Sequence, residues 1–149
     1  MKTAFINLTF LSLFIWSCQR NTPDPTTGIV TECVGISDYL VNNQSSYDLS
    51  IELVFTPGLG SKTDTTQTVR RDEIKRIGTD SKWGSIPKPV DTYSQLTLYR
   101  FIDGKKVSAY IQNPVLNVHW IKTKSRADDP DFGCQSVTHT LLISDADLY

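Results

Sequence analysis

Along most of the chain apolar and polar residues alternate with a period of two, the spacing of strands that bury one face. The clearest run is Asp48 to Phe55, which puts Leu49, Ile51, Leu53 and Phe55 on one side and Asp48, Ser50 and Glu52 on the other. Ile36 to Asn42 reads as another strand, and Asn43-Gln44-Ser45-Ser46 between the two is turn chemistry. Together they predict an opening hairpin. Thr63 to Val69 is threonine-rich and alternating, a strand by propensity. Asp72 to Ile77 fits either a strand or a helical turn, because Ile74 and Ile77 are spaced three apart. Trp83 to Tyr93 contains Gly84, Pro87 and Pro89 and predicts a long loop or crossover, since proline donates nothing to a ladder.

The strongest local signal is Asp103-Gly104, a two-residue turn whose central positions both need positive φ. It joins Gln95–Ile102, with Leu96 and Leu98 inward, to Lys105–Gln112, with Val107, Ala109 and Ile111 inward. Asn113-Pro114 then breaks the pattern, and Val115 to Lys122 resumes it. Arg126 to Gly133 is a polar loop, and Gln135 to Ile143 is the last strand, with Val137, Leu141 and Ile143 alternating. No long amphipathic helix and no internal repeat is evident. The predicted class is all-β, a single immunoglobulin-like β-sandwich of about seven to eight antiparallel strands. Its expected core is Leu49, Ile51, Leu53, Leu96, Leu98, Ile111, Val118 and Val137. A closed barrel is the structural alternative.

The first residues follow a different pattern. Lys2 precedes a mostly apolar run from Ala4 to Trp16, far shorter than the ~20 residues of a membrane-spanning helix and ordered like a secretory signal. Ile15-Trp16-Ser17-Cys18 resembles the lipobox of bacterial lipoprotein precursors. The resemblance implies cleavage before Cys18, a diacylglyceryl group on its sulfur and acylation of its new amino group. Each buried methylene contributes ~0.8 kcal/mol, so several chains on one cysteine hold a protein firmly where one holds it reversibly. Gln19 to Thr27 is polar and proline-bearing, the composition of a tether. The expected organisation is a lipoprotein signal peptide at 1–17, the lipidated cysteine and flexible tether at 18–32, and the sandwich at 33–149. Lipoproteins of the Bacteroidetes type displayed on the cell surface often carry an acidic run after the cysteine. Gln19, Arg20 and Asn21 stand there instead, which favours the periplasmic face of the outer membrane over the surface.

Composition narrows the classes further. Of the 149 residues, 132 remain from Cys18 onward, enough for one domain with its own core and consistent with a monomer. Loss of Lys2 leaves 14 basic against 16 acidic residues, a net charge of −2. The densest basic stretch, Arg70 to Arg76, is broken by Asp72 and Glu73, so nothing tracks a nucleic acid. With Cys18 lipidated, Cys33 and Cys134 are left as a disulfide pair in an oxidising compartment, or as two buried thiols. The bond would close a loop of about 100 residues, contributing up to about 4.7 kcal/mol in the chain-entropy model. Neither cysteine has the near neighbour that a metal or redox motif needs.

Catalytic machinery is sparse. His119 and His139 both fall on predicted strands, where packing is the simpler reading and half of a metal site the alternative. Asp128, Asp129 and Asp131 crowd one loop that reads either as turn chemistry or as the start of a calcium shell, without the spacing of a calcium motif. There is no Gly-x-Ser-x-Gly elbow. The candidate ligand-binding residues are the aromatics Trp83, Tyr93, Tyr99, Tyr110 and Trp120. Alternation sets Tyr99 and Tyr110 opposite the core face, as a platform for sugar rings or a protein partner. Trp120 shares a face with Val118, and Trp83 is placed to plug a sandwich end, so packing competes with that platform. Asp64-Thr65-Thr66 resembles the O-glycosylation sequon of exported Bacteroidetes proteins, with Thr65 as acceptor. Asn43-Gln44-Ser45 also fits the N-glycosylation pattern, which suits a bacterial precursor poorly.

Across the mature chain the sequence resembles a group of small Bacteroidetes lipoproteins. The matching residues are Asn42, Asn43, Ser45 and Ser46 in the opening turn; Phe101, Asp103, Gly104 and Lys105 in the central hairpin; and Ile143, Ser144, Asp145 and Asp147 at the end. These are turn residues, so the resemblance implies a shared fold and carries over no catalytic residues. The expectation is a non-enzymatic module without cofactor, held at a membrane by its lipid and binding a protein or glycan partner. A glycan-binding accessory protein and a metal-dependent hydrolase are the alternatives.

Overall fold

The computed structural model describes residues 34–59, 64–124 and 136–149. They form eight strands: β1 (Val34–Asn43), β2 (Leu49–Phe55), β3 (Thr65–Val69), β4 (Glu73–Trp83), β5 (Tyr93–Ile102), β6 (Lys105–Gln112), β7 (Trp120–Lys124) and β8 (Ser136–Ile143). A single helical turn, α1 (Pro89–Thr92), lies between β4 and β5. The strands make two four-stranded sheets, ordered β4-β1-β8-β7 and β3-β2-β5-β6. This is the all-β sandwich that the alternation predicts.

The core lies between the sheets. Leu49, Ile51 and Leu53 from β2, Leu96 and Leu98 from β5, and Val137 from β8 are all at most 1 % exposed, as their alternation requires. Tyr39 and Val41 from β1 and Leu141 and Ile143 from β8 complete the opposite wall.

Several sequence expectations give way to the observed pairing. β1 and β2 do not form a hairpin: β1 lies between β4 and β8, while β2 lies between β3 and β5. The turn after β1 is instead a corner between sheets, held by the fully buried Asn43. Its Nδ2 donates to the Tyr47 and Arg70 carbonyls at 2.8 and 2.9 Å, and its Oδ1 accepts from the Ser45 N–H and hydroxyl. Local turn chemistry cannot distinguish a corner from a hairpin, because both reverse the chain. Nor is every pairing antiparallel. β1 and β8 run parallel, with Ile36 opposite Ser136 and Asn43 opposite Ile143. Asp72–Ile77 is not helical; Asp72 sits in the turn with φ 58° and Glu73 begins β4.

The Asp103-Gly104 turn forms as predicted, with φ 49° and 74°. Its return strand is shifted, however. Leu98 pairs with Tyr110 and Tyr99 with Ser108, so Ala109 is the extra residue of a bulge. Tyr110 is thereby turned toward the core, whereas Ile111, opposite Thr97, is 48 % exposed. Val107, near the hairpin tip, is exposed too. Val118 and His119 belong to a short 3₁₀ turn, Asn117–His119, rather than a strand, and Val118 is 83 % exposed. Two residues of the expected core, Ile111 and Val118, are therefore on the surface.

Candidate functional site

One end of the sandwich, where β7 and β8 meet the loop leading into α1, opens into a cleft of about 650 Å³. Alternation along β7 puts Trp120 and Lys122 on the same, inner face. Lys122 is paired in register with His139 of β8, which alternates inward with Val137 and Leu141. The opposite wall comes from the loop, through Ser85, Ile86 and Lys88, with Asn117 of the 3₁₀ turn at the rim. Asn117 Oδ1 accepts from the Val90 N–H at 3.2 Å and ties that rim to α1. The loop sits close against β1: a Cβ on Gly35 would lie 2.3 Å from the Ser85 carbonyl oxygen, so glycine is what lets the loop pack there.

Beneath the cleft is a buried polar network. The Tyr39 ring stacks on His139, centroids 5.6 Å apart and planes at 19°, and meets Tyr93 and Trp120 edge-on at 5.1 and 6.1 Å. Tyr39 Oη lies 2.7 Å from Thr92 Oγ1, which donates in turn to Asp80 Oδ2 at 2.7 Å. Burial pushes the Tyr39 phenol up to about 12, with the Thr92 hydrogen bond opposing and the Asp80 charge reinforcing the rise. Burial raises Tyr93 as well, followed by Tyr39 and Asp80. His139 is held below its ordinary value, first by burial; the Pro87 carbonyl favours the charged form and Lys122 opposes it. The Pro87 carbonyl also accepts from Ser37 Oγ at 2.6 Å, fixing the loop over β1.

The aromatics singled out in the sequence do not converge on one surface. Tyr93 and Trp120 are core residues, 0 % and 6 % exposed, and Trp83 at the end of β4 is 68 % exposed. Tyr99 lies on the outer face beneath the Lys106 ammonium, which is 4.0 Å from its ring centroid and paired with Glu52. Tyr110 faces inward, its hydroxyl accepting from Gln112 Nε2 at 2.6 Å; Gln112 Oε1 accepts from Trp120 Nε1. Trp120 alone of the five lines the cleft. Of the two histidines, His139 is buried and His119 exposed. Among the described residues no three His, Cys, Asp or Glu side chains gather as a metal site. Thr65 begins the edge strand β3, with its hydroxyl oxygen buried and unpartnered among the described residues. Cys18, Cys33, Cys134, Asp128, Asp129 and Asp131 lie outside the described residues.

The cleft residues that the sequence did not single out are Ser85, Ile86, Lys88, Asn117 and Lys122. Lys122 was in reach through its i,i+2 relation to Trp120. The loop residues were not, since only the crossover from β4 to β5 brings them to β7. No protein-family model, curated protein or solved structure matches this chain.

Proposed function

We propose that this chain is a non-catalytic binding module tethered to a bacterial outer membrane through lipidated Cys18, and that it binds its ligand in the cleft between the α1 loop and β7. The observation that carries the binding reading is the cleft itself. Its volume falls in the range of small-molecule sites, about 300 to 1,000 Å³, and it joins an apolar wall of Ile86 and Trp120 to a few convergent polar groups. The tether reading rests on Ile15-Trp16-Ser17-Cys18 and the polar stretch after it. The missing acidic run favours the periplasmic face. A small-molecule library screened by amide and indole chemical-shift perturbation tests the binding reading. Shifts converging on Ser85, Ile86, Asn117 and Trp120 support it. Shifts scattered over the outer face around Tyr99 and Lys106 would instead favour a surface platform.

A further inference from the structure

The cleft is unbalanced in charge. Lys88 stands on the loop side, Lys122 on β7 opposite His139 of β8, and no carboxylate is among the lining residues. Both lysines are exposed, and the ion pairs among the described residues, Arg76 with Asp38 and Lys106 with Glu52, involve neither. His139 is 5 % exposed, and its Nε2 is buried without a hydrogen-bond partner among the described residues. An unsatisfied buried polar atom costs on the order of 1–3 kcal/mol, and the Pro87 carbonyl, though it favours the charged ring, makes no well-aligned bond to this nitrogen. Two ammonium groups, outside those ion pairs and lining the same cleft as that imidazole, give the site a positive sign.

We propose that the cleft binds a small organic anion, its carboxylate or phosphate head held by Lys88, Lys122 and His139 and its apolar body lying against Ile86 and Trp120. This rests on the cleft being the binding site. A head group in this position satisfies the cations with charge-assisted hydrogen bonds, the stronger class. It also gives the imidazole an acceptor beside the Pro87 carbonyl, so binding favours protonated His139 and tightens as the pH falls toward neutrality and below. The charged and titratable groups around that ring are Lys122 on β7, Lys88 before α1, Tyr39 on β1 and, through Thr92, Asp80 on β4.

Three probes sharing one ring, namely benzoate, phenyl phosphate and neutral benzamide, are titrated into the full-length protein while the His139 and Trp120 ring resonances are followed. Saturable shifts with either anion, absent with benzamide, support the proposal. Their relative affinities then separate a carboxylate ligand from a phosphate one. Lys122→Met should weaken the preferred anion about tenfold or more, while Lys122→Arg retains binding. Lys122 is exposed on an edge strand, so both variants should fold, which their amide spectra verify. Benzamide binding as tightly as benzoate, or Lys122→Met leaving affinity unchanged, overturns the anion proposal and leaves the cleft as a binding site. No shift at any cleft residue with any probe overturns both.

Discussion

At the residue scale, His139 joins the packing of the domain to the chemistry of its cleft. Period-two alternation with Val137 and Leu141 places it on the inner face of β8, and that much is legible in the strand itself. Its neighbours are not legible there, because Tyr39 stacks on it from β1, about a hundred positions earlier, and Lys122 reaches it only through the β7–β8 register. Burial lowers its proton affinity in the folded state, with Lys122 reinforcing and the Pro87 carbonyl opposing. The unfolded chain therefore binds more protons as the pH falls through the ordinary value of 6.5, so stability rises with pH across that window and is lost on acidification. Urea unfolding of the ligand-free protein from about one pH unit above that value to about one and a half below it should show the decline. His139→Gln should flatten it. An unchanged slope in the variant would assign the decline to other groups.

At the element scale, register decides what each strand exposes. The turn at Asp103-Gly104 was readable because its two positive-φ positions demand those residues, but the bulge at Ala109 leaves no comparable mark. One extra residue moves Ile111 out and Tyr110 in. Two substitutions separate the observed register from simple alternation. Ile51→Asp buries an unpaired carboxylate and should cost about 3 kcal/mol or more in denaturant unfolding. Ile111→Asp, on the outer face, should change stability by no more than about 0.5 kcal/mol. A large loss at Ile111 would return that residue to the core and remove the bulge. The same logic explains Val118, whose apolar character suited a strand although it sits on an exposed 3₁₀ turn after Asn113-Pro114. The corner at Asn43 is a further case: its residues announce a reversal, and only long-range pairing decides which sheet the next strand joins.

At the scale of the whole molecule, the sandwich class was legible because about eight alternating segments punctuated by turns have few other ways to bury one face. The cleft was not, since it is assembled from β7, β8 and a crossover loop far apart in the chain. The two cysteines of the mature domain, Cys33 and Cys134, lie outside the described residues, and the sequence expects them to be paired because Cys18 is taken by the lipid. Alkylation without reductant should then add nothing at either position, whereas two added alkyl groups would refute the bond. The central claim, a binding domain held at a membrane by its own lipid, is tested most directly by the mass of the mature N-terminal peptide from protein extracted out of bacterial membranes. The account predicts a peptide that begins at Cys18 and carries both the diacylglyceryl group and an amide-linked acyl chain. An unmodified Cys18, or a mature chain beginning elsewhere, would contradict it.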